Sequence, residues 1–175
     1  MLETAAVYWE SKVRIYGFRE RTGLSLFTLV FPIEHLGHWG SQIEAMAEEN
    51  GGFDLAISQE LDGNVIQLCI VLQEKAGSFH RRLLEGAVKN KERTSLTLDF
   101  PVGMISFHGP HFQDRYGIAN AAFDALEKAG FNVLASGCTG TSVYVVLPEN
   151  IVRPAIERLA TTFIIPQADD SLKKI

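Results

Sequence analysis

The sequence predicts an α+β fold in which a β-α-β-β-α-β unit occurs twice, each with an antiparallel sheet and helices on one face. Two observations carry this prediction. Between residues 117 and 147, a helical apolar pattern stops at Gly130 and two apolar runs follow around a glycine-rich turn. The same order of helix, strand and strand recurs from about residue 37 to residue 72. We expect modules at residues 12–101 and 102–167, followed by a polar tail at 168–175.

Composition restricts the class of protein. The chain has 175 residues, 46% of them hydrophobic, and a formal net charge of −5, which is typical of a globular protein. It has no clustered basic face, so we expect no nucleic-acid partner. It also has no run of about 20 apolar residues and no signal-peptide pattern at its start. We therefore expect a cytoplasmic protein with no membrane partner.

The first module opens with two β-rich runs, residues 12–19 and 24–31. A short polar segment that ends in Gly23 separates them, and this arrangement predicts a hairpin. The first run is an extra strand relative to the repeated unit. Pro32 is expected to end the second strand, because proline lacks the N–H group that a continuing ladder needs.

A helix is predicted next, because apolar side chains recur at helical spacing: Trp39, Ile43, Met46 and Ala47. Gly51 and Gly52 are expected to end it in left-handed conformations. A strand near residues 53–60, a turn at 62–64 and an apolar strand up to Leu72 complete the pattern.

The rest of the chain continues the same alternation. Ser78 is a candidate N-cap for a helix with apolar positions up to Val88. Pro101 separates a predicted strand at residues 96–100 from the next module. The elements predicted there are a strand at 104–108, a helix from Gly117, strands at 131–136 and 142–147, and a last helix after Asn150. Both alternating sets of 142–147 are apolar, which predicts that the second sheet face packs on another copy in a homodimer.

Several segments resemble the tandem ACT modules of aspartokinases. Residues 105–109, 117–119 and 125–133 are similar to the second module. In the first module, Glu34-His35-Leu36-Gly37 takes the place of the family's Asp-Lys-Pro-Gly loop, and Asp62-Gly63 matches its turn. The resemblance covers about residues 12–167 and extends to the separately encoded regulatory subunit of some aspartokinases.

The resemblance implies two ferredoxin-like modules that bind an aspartate-family end product, such as lysine or threonine, and regulate by feedback. The sequence contains no kinase domain, so we expect no catalysis by this chain alone. A separate aspartokinase catalytic subunit is an expected partner. The alternative is an ACT pair without ligand that serves as a dimerisation or interaction module for such a subunit.

The effector-binding residues that we predict lie in three segments: Glu34, His35, Gly37 and His38; Ser58 and Gln59; Asn132 and Val133. Helix-start N–H groups near Gly37 and His38 suit a carboxylate, and Glu34 suits an ammonium group. By resemblance, Ser58-Gln59 occupies the place of a Gln-Asn pair, displaced by one residue, and Asn132-Val133 that of a strand segment whose backbone meets the effector. Each segment also has an explanation that involves no ligand. Glu34 interacts favourably with the helix dipole, Ser58-Gln59 is a polar strand end, and Asn132 satisfies a turn.

Other motifs are too incomplete to predict chemistry. The histidine pairs His35/His38 and His108/His111 lack a third and fourth ligand, so no metal is expected. The turn at 137–141 lacks the lysine and helix of a phosphate loop, and no base is identifiable for the Cys138 thiol. We therefore predict no cofactor and no catalytic residue. Cys69 lies in an apolar run and is expected to be a buried, reduced thiol.

Overall fold

The protein is described here by a computed structural model that covers residues 12–73, 85, 88, 92–110, 112 and 115–165. These residues form six strands, three α-helices and two short 3-10 turns, at Ile33–His35 and Glu149–Ile151. The bounds are β1 Gly17–Pro32, α1 Leu36–Asn50, β2 Leu55–Leu61, β3 Val65–Gln73, β4 Ser95–His108, α2 Ile118–Lys128, β5 Ala135–Cys138, β6 Ser142–Pro148 and α3 Val152–Thr162. The strands belong to one antiparallel sheet in the order β2-β3-β1-β4-β6-β5.

The chain divides into two compact units. Residues 21–103 form one, here called the central unit, and residues 1–20 with 104–175 form the other, the terminal unit. The long strands β1 and β4 each contribute residues to both units. The mixture of helices with an antiparallel sheet agrees with the predicted α+β class, while two separate ferredoxin-like modules remain a prediction.

The predicted hairpin around Gly23 is wrong. β1 runs through this segment without a turn, and Gly23 takes a positive φ of 68° within the strand. The polar residues that suggested a turn have partners elsewhere in the chain: Arg21 pairs with Asp54, and Glu20 with Arg153. These long-range partners allow polar side chains to occupy a continuous strand.

The prediction that Pro101 separates two strands is also wrong. The strand continues from residue 95 to residue 108 and passes through Pro101 without interruption. A proline removes one N–H donor, but its fixed φ is compatible with extended backbone. The predicted strand at 131–136 is also shorter and later, since β5 begins at Ala135 and residues 131–134 have no regular structure.

The core of the central unit lies between α1 and one face of its strands. Alternate residues of β1 and β3 are paired across the ladder, as Phe27 with Ile70, Leu29 with Leu68 and Phe31 with Ile66. These side chains join Trp39 and Met46 of α1 in one buried cluster. Two of the four predicted apolar positions of α1 are therefore fully buried, and Ile43 packs against the same cluster.

The core of the terminal unit is built from α2, α3 and the inner faces of β4 and β6. Its buried residues include Ile105, Phe107, Ile118, Ala122, Leu126, Val143, Val145, Leu147, Val152, Ala155 and Leu159. α2 buries residues of the predicted stripe and ends at Lys128, two residues before the predicted Gly130, which has φ +73°. This confirms the helical pattern that was the clearest signal in the sequence.

Val146 belongs to the second alternating set of β6 and is fully buried within a single chain. The apolar pattern of this strand therefore does not by itself require a second copy, and the homodimer remains a prediction. The predicted helix from Ser78 lies outside the described residues, apart from Glu85 and Val88, which are helical. No helix in the described part of the chain is long and apolar enough to cross a membrane.

Candidate functional site

An open pocket of about 610 Å³ lies in the terminal unit where α2 ends. Its lining consists of Phe123, Glu127, Gly130, Phe131, Asn132, Val133 and Ser136. The left-handed Gly130 turns the chain, and the Phe131 N–H donates to the carbonyl of Leu126 at 3.0 Å. This turn places Asn132 and Val133, two predicted effector residues, in the pocket wall.

The pocket of the terminal unit offers groups that suit a small zwitterion. Glu127 is exposed and presents a carboxylate, the usual acceptor for an ammonium group. Asn132 contributes an amide, and Ser136 contributes a hydroxyl from a position opposite Val145 in the β5–β6 ladder. Phe123 and Phe131 supply apolar walls. A few polar groups on an otherwise apolar lining are typical of small-molecule sites.

A second pocket, of about 270 Å³, lies in the central unit at the end of α1. It is lined by Asn50, Gly51, Gly52, Phe53, Asp54, Leu72 and Gln73. Gly51 has φ +69° and donates its N–H to the Ala47 carbonyl, which ends the helix as predicted. Asp54 forms an ion pair with Arg21 of β1, which fixes the charged wall of the pocket.

The two pockets occupy equivalent places in a repeated segment that our sequence interpretation did not use. Residues 52–58 read Gly-Phe-Asp-Leu-Ala-Ile-Ser, and residues 130–136 read Gly-Phe-Asn-Val-Leu-Ala-Ser. In both copies a left-handed glycine follows a helix, and the next phenylalanine and Asp or Asn line the cavity. Asp54 is thus a pocket-lining residue that our sequence interpretation did not single out, and the repeated Gly-Phe-Asx-x-x-x-Ser pattern was the signal.

The segment from Glu34 to His38 lies at the opposite end of α1. Glu34, Gly37 and His38 are exposed, and no side chain caps the helix at His35. The buried Nδ1 of His35 has no hydrogen-bond partner among the described residues. Since the helix has 15 residues, at about 1.5 Å per residue it separates this segment from the pocket at its other end by roughly 22 Å. The structure does not bring the two together within one unit.

Ser58 and Gln59 are both exposed on β2, and they face opposite sides of the sheet. Ser58 lies opposite Leu68, which packs on α1, whereas Gln59 lies opposite Gln67. Only one of the two can therefore face any one ligand. Neither lines the pocket of the central unit.

The histidine pairs do not assemble a metal centre in the described part of the chain, where no group of three or more His, Cys, Asp or Glu could hold an ion. His111 lies outside the described residues. His108 instead contacts the ring of Tyr16, with centroids 5.2 Å apart.

The glycine-rich turn after β5 forms a hairpin. The Thr139 hydroxyl accepts a hydrogen bond from the Ser142 N–H at 3.1 Å, which closes the turn. Partial desolvation raises the pKa of the Cys138 thiol above its ordinary value, so less of it is the nucleophilic thiolate at neutral pH. Cys69 is buried, as predicted.

Comparison with known proteins identifies the fold. No protein-family model and no curated protein sequence matches the chain. The regulatory subunit of aspartate kinase from Thermus flavus superposes with a TM-score of 0.73 at 14% identity, and the match covers 86% of this chain and 99% of that one. The chain has the fold of aspartate kinase regulatory subunits. This confirms the resemblance drawn from the sequence.

Two further structures extend this likeness. A structure of aspartokinase alpha and beta subunits matches with a TM-score of 0.71 at 16% identity, covering 85% of this chain and 97% of that one. Aspartate kinase from Synechocystis matches with a TM-score of 0.76 at 15% identity, covering 94% of this chain but 30% of the enzyme. The aspartokinase-like chain thus spans under a third of that enzyme and nearly all of the separate regulatory subunit. At sequence identities of 14–16%, the likeness to these structures establishes the fold alone.

Proposed function

We propose that the chain is a regulatory amino-acid-binding protein, a tandem ACT sensor of an aspartate-family end product such as lysine or threonine. The observation that carries this proposal is the open pocket at the end of α2, where Asn132 and Val133 lie beside Glu127 and Ser136. The fold of aspartate kinase regulatory subunits supports the regulatory role.

The groups around this pocket support recognition of a free amino acid. A carboxylate at Glu127 balances the ligand's ammonium group, while the Ser136 hydroxyl and the Asn132 amide offer donors for its carboxylate. Such a ligand has about 8–10 heavy atoms. At roughly 0.4–0.8 kcal/mol per atom, micromolar to millimolar dissociation constants are expected.

A homodimer is part of the proposal. The segment from Glu34 to His38 carries exposed groups at the start of α1, about 22 Å from the pocket at its other end. We propose that the helix start of one copy lies beside the effector pocket of another, so that one ligand contacts both copies. Such a ligand would favour one arrangement of two copies by contacts made only in that arrangement.

A thermal-shift screen tests the sensor proposal. The purified chain is melted alone and with each of the twenty amino acids at millimolar concentration. Binding to the folded state raises the melting temperature, so lysine, threonine or a chemical relative is expected to stabilise the protein. D-enantiomers at the same concentration serve as controls. A melting temperature that none of the twenty changes contradicts the proposal.

The second candidate function is an interaction module for a separate catalytic subunit. It is favoured by the match to a structure that contains aspartokinase alpha and beta subunits. Co-purification of this chain with an aspartokinase catalytic chain, together with no response to any amino acid, supports this candidate over the sensor.

A further inference from the structure

Two buried polar atoms without partners lie at the start of α1. The indole nitrogen Nε1 of Trp39 and the imidazole nitrogen Nδ1 of His35 are buried, and neither has a hydrogen-bond partner among the described residues. The Trp39 side chain as a whole is fully buried. A polar group that loses water without gaining a partner destabilises the folded protein, so such groups are few in native structures. This pair therefore points to a hydrogen-bonding group that binds at the helix start.

Both atoms belong to the N-terminal side of the helix. His35 immediately precedes α1, and Trp39 follows four positions later, a spacing that places two side chains on one side of a helix. Side chains of a helix also lean toward its N-terminus. The Trp39 ring contacts the ring of the exposed His38, with centroids 5.1 Å apart, and that of Phe31 at 6.0 Å. The indole therefore extends from the core of the central unit toward the exposed start of α1.

His35 can move without losing a hydrogen bond. Its side chain is half-buried, and no described residue forms a hydrogen bond with its Nδ1. Side-chain rotamers exchange rapidly where packing permits. A rotation of His35 would let an atom of a ligand reach both its own Nδ1 and the Trp39 N–H group.

A carboxylate suits these two atoms. The indole N–H group only donates, and the Nδ1 atom of an imidazole donates in one neutral tautomer and in the cation. A carboxylate has about four lone pairs, so it can accept from both groups and still accept from further donors. Hydrogen bonds to a charged acceptor are also stronger than those to a neutral one. Glu34, the neighbour of His35 in sequence, is exposed and suits an ammonium group on the same ligand.

We propose that Trp39 and His35 hold the carboxylate of the amino-acid effector at the start of α1, with the Trp39 indole as the donor from the core. This inference rests on the proposed function, because it takes the effector to be a free amino acid. It adds a buried residue of α1 to the exposed residues of the segment from Glu34 to His38. It also makes a free carboxylate a requirement for binding.

Tryptophan fluorescence tests the contact, because the chain has two tryptophans, Trp39 and Trp9, and Trp9 lies outside the described residues. The Trp9→Phe variant leaves Trp39 as the single indole. This variant is titrated with L-threonine, L-lysine and any other amino acid that raises the melting temperature. Each amino acid that binds is expected to change the emission of Trp39 in a saturable way. Its methyl ester, which lacks the carboxylate charge, should change the emission little.

Trp39→Phe removes the N–H donor but keeps an aromatic ring. Calorimetric titration is expected to show that it weakens binding of the free amino acid roughly tenfold or more, because a hydrogen bond to a charged group commonly contributes that much. Binding of the ester, already weak, should not change. Phe31→Leu is the matched control, since it reduces the volume of the same buried cluster without removing a donor, and its affinity should stay close to that of the wild type. Circular dichroism confirms folding of each variant.

The possible results separate this inference from the sensor proposal. The inference is overturned, while the sensor proposal stands, if an amino acid binds without changing the emission of Trp39. The same holds if Trp39→Phe binds it as tightly as the wild type, or if Phe31→Leu loses as much affinity. The fluorescence titration needs no substitution at Trp39, so it decides the question even where Trp39→Phe does not fold. If the wild type binds none of the twenty amino acids, both are overturned.

Discussion

Gly109 lies so close to Ile15 that a β-carbon at residue 109 would stand 3.1 Å from the Ile15 Cα. It would also meet the carbonyl oxygen of Arg14 and the ring of Phe112. The Arg14 and Ile15 atoms belong to the backbone, which cannot shift aside as readily as the end of a flexible side chain. The end of β4 and the segment before β1 therefore require glycine at this position.

Gly109→Ala is expected to destabilise the protein by about 1–3 kcal/mol, the usual cost of forcing atoms into a packed site. Urea denaturation followed by circular dichroism measures this loss. Gly140→Ala is the matched control, because nothing lies within 4 Å of the β-carbon it would add. Equal stability of the two variants would show that residues 14 and 109 do not approach closely in solution.

Asp54→Ala is expected to lower the free energy of unfolding by about 1–3 kcal/mol. The change leaves the partly buried Arg21 guanidinium without its carboxylate, and an uncompensated charge away from water is costly. The comparison variant is Asp124→Ala, which removes an exposed pair with Lys128 on α2. That loss should be about 0.5 kcal/mol or less. Chemical denaturation of both variants gives the difference, and a smaller effect at Asp54 than at Asp124 would contradict the described ion pair.

Leu126→Ala is expected to lower the free energy of unfolding by about 2–5 kcal/mol. Leu126 of α2 is fully buried in the core of the terminal unit, and its truncation leaves a cavity. Leu36→Ala removes the same atoms from a half-exposed side chain at the start of α1. Its cost should be well under half as large. Thermal and urea denaturation measure both, and comparable losses would refute the assignment of Leu126 to the core.

Cys138 is expected to react with Ellman's reagent more slowly at pH 8 than free cysteine does. Its raised pKa keeps the neutral thiol dominant to a higher pH, so the rate should climb as pH rises past the ordinary cysteine value of about 8.5. Cys69 is buried and should stay unreactive in the folded protein. The Cys138→Ser variant should show no reaction before unfolding. A rate already maximal at neutral pH would mean that the thiol is activated.

The parts of the fold that sequence predicted are those set by local signals. α2 has strict helical spacing of Ala122 and Leu126 and a left-handed stop at Gly130, and the structure has the helix in that place. The predicted hairpin at Gly23 was wrong because the conformation of this segment depends on residues that are distant in the sequence. The residues that looked like a turn are held in β1 by partners far along the chain, with Arg21 reaching Asp54 across 33 positions.

The candidate site was predicted only in part. Asn132 and Val133 were predicted from the resemblance of their segment to that of the family, and both line a pocket, while their effector role remains a prediction. Asp54 takes the place of Asn132 in the repeated Gly-Phe-Asx-x-x-x-Ser pattern and could have been singled out from it, but its ion pair with Arg21 follows from no spacing rule. Glu34 remains a predicted effector residue, at the opposite end of α1 from the pocket of the central unit.

Hydrogen-exchange mass spectrometry with and without the amino acid that stabilises the protein most is the direct test of where an effector binds. We expect saturating ligand to slow exchange at residues 50–54 or 130–136, with added protection at 34–38 if two copies share the site. D-enantiomer at the same concentration should change nothing. Protection confined to other segments, or none at saturation, would contradict the assignment of the pockets as effector sites.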